Sequence, residues 1–330
     1  MKPVIIIAIA FVFLFLLMPI TGLAFGDSLP KWIKNIFIWY GEDKIEEGEL
    51  LKAIQYLIDS RIIITSEGNQ VAKNYVASIE AHPVEDNGDF YVTYYENPNS
   101  VYEYSAKEWI QAEGYFEEQI QFLNSNFRLP YDVEIVVKEC NEENAFYDWQ
   151  ARQIIMCYEF FDAVFDDFAT YFDKEGIEYT DDDLNLANLD VVDWVFYHEV
   201  GHAFVDIYLL PITGLEENVV DQFASYIILA ETDFGGDENA KYWVQDIMYS
   251  VGTWFIIQTE NINQNYYWDV HNLDIQRFYN VSCYAYGSNP EYNYDLITDG
   301  WLPQERAYNC EYEYSVLEDS WTRLLAPYRI

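Results

Sequence analysis

The chain has 330 residues, with 57 acidic against 17 basic side chains and a formal net charge of −40 at pH 7. A surface of that sign repels nucleic acid and anionic membranes, which excludes both as electrostatic partners. The length allows one large domain and a small module, while only 4 His and 4 Cys restrict where metal and redox chemistry can sit.

The chain opens with Met1-Lys2, an apolar run from Val4 to Ile20, and then Thr21-Gly22-Leu23-Ala24. A positive start, an apolar stretch and small residues at its end predict a secretory signal over residues 1–24, cleaved after Ala24. The run is long for a signal and slightly short for a span, so a retained membrane anchor is the alternative. Residues 25–70 form a separate small helical module. Glu49 to Ile58 carries helical apolar spacing, and Arg61-Ile62-Ile63-Ile64-Thr65 follows. With Trp32-Ile33-Lys34-Asn35 and Trp39-Tyr40, this stretch resembles a short helical module of exported archaeal proteins. That likeness implies docking or packing rather than chemistry.

Residues 71–330 make the main domain. Strand formers predict strands at Phe90 to Tyr95, Val133 to Val137, Ala145 to Tyr147 and Arg152 to Tyr158, with a helix from Trp109 to Leu123. Beyond Tyr158 the periodicity turns helical, over about 159–173, 188–207, 215–232, 238–260, 270–287 and 303–325. A sheet-bearing first half followed by a mainly helical second half is an α+β arrangement. Asp181-Asp182-Asp183 reads as a solvated face or loop, since its spacing fits no calcium loop. Four cysteines in an exported chain predict two disulfides. Of three connectivities the local pairs, Cys140–Cys157 and Cys283–Cys310, are preferred. Asn280-Val281-Ser282 is a sequon inside a predicted helix and reads as a chance occurrence. His82, isolated before Pro83, has no assigned role.

The most informative stretch is Val195-Phe196-Tyr197-His198-Glu199-Val200-Gly201-His202-Ala203-Phe204. On a helix His198 and His202 project from one face and can hold one metal ion, with Glu199 placed as general base toward a metal-held water. The stretch lacks a polar face apart from the motif, as a buried active-site helix requires. A third protein ligand is needed. Val205 and Tyr208 stand where a metzincin has Gly and His, which excludes that class. Downstream, Glu217 and Asp221 share one face of the next helix. Glu217 then serves as third ligand and Asp221 orients a ligand imidazole, as in gluzincins. Glu216 is the rival ligand, and an acidic first turn is the structural alternative. His271 is the candidate donor to the developing oxyanion, with Asp269 holding its tautomer; the alternative is a structural or capping His. Arg277 either holds a substrate carbonyl or carboxylate, or forms a buried salt bridge.

Several segments of the chain resemble the DUF4344 metallopeptidase family and, more remotely, thermolysin-like gluzincins. They are Asn144-Ala145-Phe146-Tyr147-Asp148, Ile154 to Glu159, and the H-E-x-G-H block with Glu216-Glu217-x-x-x-Asp221-Gln222-Phe223-Ala224. To these add Gln276-Arg277, Cys283, Tyr286-Gly287, Leu302-Pro303, Arg306-Ala307 and Cys310. The likeness covers roughly residues 88–328 in order. It implies a zincin-like fold, in which a small sheet lays its edge strand beside the motif helix, and a zinc-dependent hydrolase with one Zn²⁺ per chain. It also implies that Asn144 and Ala145 hold a peptide backbone beside the metal. The expected function is therefore a secreted zinc peptidase acting on a peptide or protein substrate. The rivals are a metal-dependent amidase on a non-peptide substrate and a catalytically silent zincin-fold binding module at the cell surface.

Overall fold

The computed structural model describes residues 84–97, 110–112, 114–231, 240–260 and 270–330, with single positions at 40, 44, 50 and 107. The expected signal, the helical module and Asp269 lie outside the described residues. The chain divides after Pro83, and the elements below all belong to Val84–Ile330.

Four short strands form one sheet in the order β1-β2-β4-β3: β1 (Phe90–Tyr94), β2 (Val133–Lys138), β3 (Ala145–Asp148) and β4 (Gln153–Cys157). β1, β2 and β4 run parallel, and β3 lies antiparallel at the edge. Helix α1 (Tyr115–Asn126) fills the crossover between the first two strands, as a parallel pair needs. Val133, Ile135 and Val137 point into the main core, as alternation predicts. The opposite face is apolar too: Val136 and Ile155 are buried there and pack with Phe146 and the Cys140–Cys157 disulfide, so both faces of β2 are covered.

The second half is helical: α2 (Tyr158–Glu175), α3 (Asp181–Ile207), α4 (Glu216–Tyr226), α5 (Ala240–Glu260), α6 (Asp274–Ser288), α7 (Asp295–Thr298), α8 (Gln304–Ala307) and α9 (Cys310–Leu325). The architecture is thus α+β, a small sheet with a mostly helical C-terminal half. Three boundaries differ from the periodicity. Helix α3 starts seven residues early, because Thr180 and Asp183 close a capping box; the three aspartates are its first turn, not a loop. Helix α6 starts only at Asp274, leaving His271 in the segment before it. The last predicted helix is broken between Ala307 and Cys310. The second disulfide, Cys283–Cys310, fastens α6 to α9.

Helix α3 is the central element. From Asp190 onward nearly every residue is buried, and the helix packs against α2, α4, α5 and β3. Gly201 permits the closest of these approaches. A Cβ there would stand 2.9 Å from Val220 Cβ and 3.0 Å from Phe223 Cδ1 on α4. Ala in place of glycine adds roughly 1 kcal/mol of helix propensity, but overpacking of this kind costs about 1–3 kcal/mol. Gly201→Ala is expected to lower the melting temperature of the metal-free protein and to weaken metal binding, by pushing α4 away from α3. Equal melting temperature and metal affinity in the variant would show that the contact tolerates a methyl group.

Two carboxyls lie on α3 upstream of the motif, Asp190 buried and Asp193 partly buried. Asp190 accepts a hydrogen bond from Ser250 Oγ at 2.6 Å, and Asp193 accepts one from Gln119 Nε2 at 2.9 Å and another from Tyr115. Burial, with Asp193 and Asp246 nearby, pushes Asp190 up to about 7 against the pull of Ser250. Burial lifts Asp193 to about 6. A carboxyl whose folded pKa is raised stabilises the fold below its unfolded pKa of about 3.9 and loses that contribution as pH rises toward the folded value. Asp190→Asn keeps an acceptor for Ser250 and removes the titration. It is expected to unfold at higher urea than the parent at pH 8, by on the order of 2 kcal/mol, and to match it near pH 4. A difference that is flat across pH would refute the assignment.

Candidate metal centre

His198 and His202 lie one turn apart on buried α3, and their Nε2 atoms each stand 3.3 Å from Glu217 Oε2 on α4. These three donor atoms fall within 4.8 Å of one another, a set able to hold a metal ion. A tetrahedral site with bonds of about 2.05 Å has donors about 3.3 Å apart along its edges, which matches both separations. Glu217 Oε2 is buried, and among the described residues no hydroxyl or amide donates to it; imidazole nitrogens alone surround it, the condition of an atom shaped for a cation. Glu217 reaches this point although α3 continues five residues beyond His202. Leu209 takes a left-handed conformation (φ 48°) and turns the chain back toward α4.

Each imidazole is aimed by a second carboxylate. His198 Nδ1 lies 2.9 Å from Asp221 Oδ1, and His202 Nδ1 lies 2.8 Å from Glu216 Oε1. An ionised carboxylate only accepts, so each Nδ1 carries a hydrogen, and each Nε2 is the atom that, once deprotonated, offers its lone pair to the centre. Glu216 and Glu217 are adjacent on a helix and diverge by about 100°, so one meets the centre while the other meets a ring edge. Asp221 is held in turn by Arg277, with Nε 2.9 Å from Oδ2 and Nη2 2.8 Å from Oδ1. Arg277 also lies over the Phe255 ring, 4.4 Å from its centroid. Its guanidinium is turned into this buried pair rather than toward solvent.

The electrostatics favour a cation. Burial alone would raise Glu217, yet His198, His202 and His271 hold it far below the usual carboxylate range. Burial opposes the charged form of His202, but Glu216 and Glu217 prevail and lift it to about 10. Without an ion, protons hold the place of positive charge, so ion uptake releases them. Burial raises the Glu199 carboxyl above its ordinary range, against the pull of both imidazoles. It is therefore a stronger base than a solvated carboxylate.

The backbone of Tyr147 on β3 also acts on the Glu199 carboxyl, drawing it slightly down against the effect of burial. Tyr147 Oη donates to Asp206 Oδ2 at 3.0 Å, a second tie between β3 and α3. Cys157 N donates to Asn144 O at 3.2 Å, so alternation turns the backbone groups of Ala145 and Tyr147 away from β4. Asn144 Oδ1 accepts from Ala145 N at 3.0 Å. His271 Nε2 stands 3.0 Å from Glu217 Oε2, with its side chain 43% exposed, but it lies outside the mutually close donor set. The sequence points to most of these side chains. It misses Glu216 as the partner of His202, though the Glu-Glu pair was the available signal, and it misses the Tyr147 backbone, which only tertiary pairing reveals.

Among known proteins, no curated protein and no solved structure matches this chain. A family described as "Putative metallopeptidase", DUF4344, matches residues 95–325, well over half of the chain and every donor named above. The chain belongs to the DUF4344 family.

Proposed function

We propose that this chain is an exported zinc-dependent peptidase that hydrolyses peptide bonds. The observation that carries the reading is the buried Glu217 Oε2 facing the Nε2 atoms of His198 and His202 at 3.3 Å, with Glu199 between those imidazoles on the same helix. His198, His202 and Glu217 hold the ion. Zinc, when bound, lowers the pKa of a coordinated water from about 15.7 toward 7 and polarises a carbonyl. Glu199 takes the proton of the attacking water and delivers it to the leaving nitrogen. Asp221 and Glu216 fix the imidazoles in the tautomer that donates from Nδ1. His271, at the exposed side of the centre, donates to the carbonyl oxygen as charge develops there. Ala145 offers its outward carbonyl, and Asn144 its side-chain nitrogen, to an extended substrate. Export is supported by the N-terminal apolar run and by two disulfides, which persist in oxidising compartments. No helix among the described residues is long and apolar enough to cross a membrane.

The test is metal analysis of the purified chain beside a peptide-library digest. About one zinc per chain is expected, with cleavage that stops on chelation and returns with zinc. A zinc-loaded chain that cleaves neither peptides nor small amides would instead be a binding module; cleavage of small amides alone would make it an amidase.

A further inference from the structure

An open groove of about 600 Å³ is lined by Asn272, Gln276, Tyr279, Asn280, Pro303 and Arg306. It begins at the residue after His271, whose Nε2 is 3.0 Å from Glu217, and follows one side of α6 toward α8. Arg277, on another side of the same helix, holds Asp221. Centre and groove therefore share α6 and the segment that leads into it.

None of the six lining residues is acidic. The one cation, Arg306, is bound by both terminal nitrogens to Glu313, at 2.8 and 2.7 Å. The groove is thus close to neutral. Gln276 Oε1 caps the start of α6 by accepting from Leu273 N. The amides of Asn272 and Asn280 and the hydroxyl of Tyr279 have no hydrogen-bond partner among the described residues. Each of these groups both donates and accepts. An extended peptide presents alternating N–H and C=O groups, at about 3.3 Å per residue, that such groups can meet.

We infer that this groove is a backbone track, which holds several residues of a polypeptide beyond the reacting bond. The inference rests on the peptidase reading and narrows its substrate class to extended oligopeptides and unfolded protein segments, with little regard for side-chain charge. Two hydrogen-bonding residues of this kind, removed together, are expected to cost about tenfold in transition-state binding of a long peptide.

The experiment compares two fluorogenic peptides with the same reacting dipeptide, one capped on both sides and one extended by four residues on each side. Zinc-loaded wild-type protein is expected to show kcat/KM at least about tenfold higher for the long peptide. In Tyr279→Phe/Asn280→Ala, with metal content checked as a measure of folding, the long-to-short ratio is expected to fall toward 1. Tyr279→Phe keeps the ring packing, so alone it still reports a partial fall if the double variant is unstable. Equal rates for both peptides in the wild type would overturn the track while leaving the peptidase reading intact, as would a full length gain in the variants. If the wild type cleaves neither peptide, the peptidase reading itself fails and the track falls with it.

Discussion

Glu199→Gln is expected to abolish turnover while the protein keeps its metal. The substitution changes neither size nor shape, and Gln retains a side-chain oxygen that can accept a hydrogen bond. The carboxyl sits 6% exposed, where burial already penalises its charge, so a neutral amide should not harm folding. What is lost is the group that takes a proton from the attacking water. General-base catalysis is worth about 10²–10⁴ in rate, and a proton carrier that serves both attack and departure belongs at the upper end. The measurement is kcat on a denatured-protein substrate, with metal stoichiometry determined on the same sample. Turnover within tenfold of the parent would remove Glu199 from the mechanism. Loss of the metal would mean that it supports the ion rather than the reaction.

Glu217→Ala is expected to cost the protein its metal, and Glu216→Ala only to weaken the hold. Glu217 Oε2 faces both imidazole nitrogens at 3.3 Å, as a third donor would, whereas Glu216 touches His202 from the far side of the ring. Loss of a carboxylate that orients a ligand His lowers metal affinity by about 10–100-fold. Loss of the donor itself leaves two imidazoles and should exceed that range. Competition with a chromophoric chelator gives both affinities. If Glu216→Ala loses the ion and Glu217→Ala retains it, the third donor has been misassigned.

The legible part of this chain was local. The spacing of His198, Glu199, His202, Glu217 and Asp221 depends only on helix geometry, so the motif alone placed them on facing helices. Cysteine proximity along the chain was enough to pair Cys140 with Cys157 and Cys283 with Cys310. The start of α3 was also legible in principle, since Thr180 and Asp183 carry a capping box that the apolar periodicity of 188–207 overshadowed. Other features depend on tertiary choice. The order β1-β2-β4-β3 is set by which strands meet, and nothing in Val133 to Val137 says that both of its faces will be covered. The pairing of Arg277 with Asp221, separated by 56 residues, shows only when α6 lies against α4.

The outward backbone of β3 carries a consequence for what such a protein leaves alone. A ladder of main-chain hydrogen bonds recognises polymers by their conformation, and only a strand without a neighbour can join it. Helices and the interior strands of folded domains already have their amides engaged and cannot lie along Ala145. Folded proteins without an open strand edge would escape through their own tertiary structure, and misfolded or nascent ones would not.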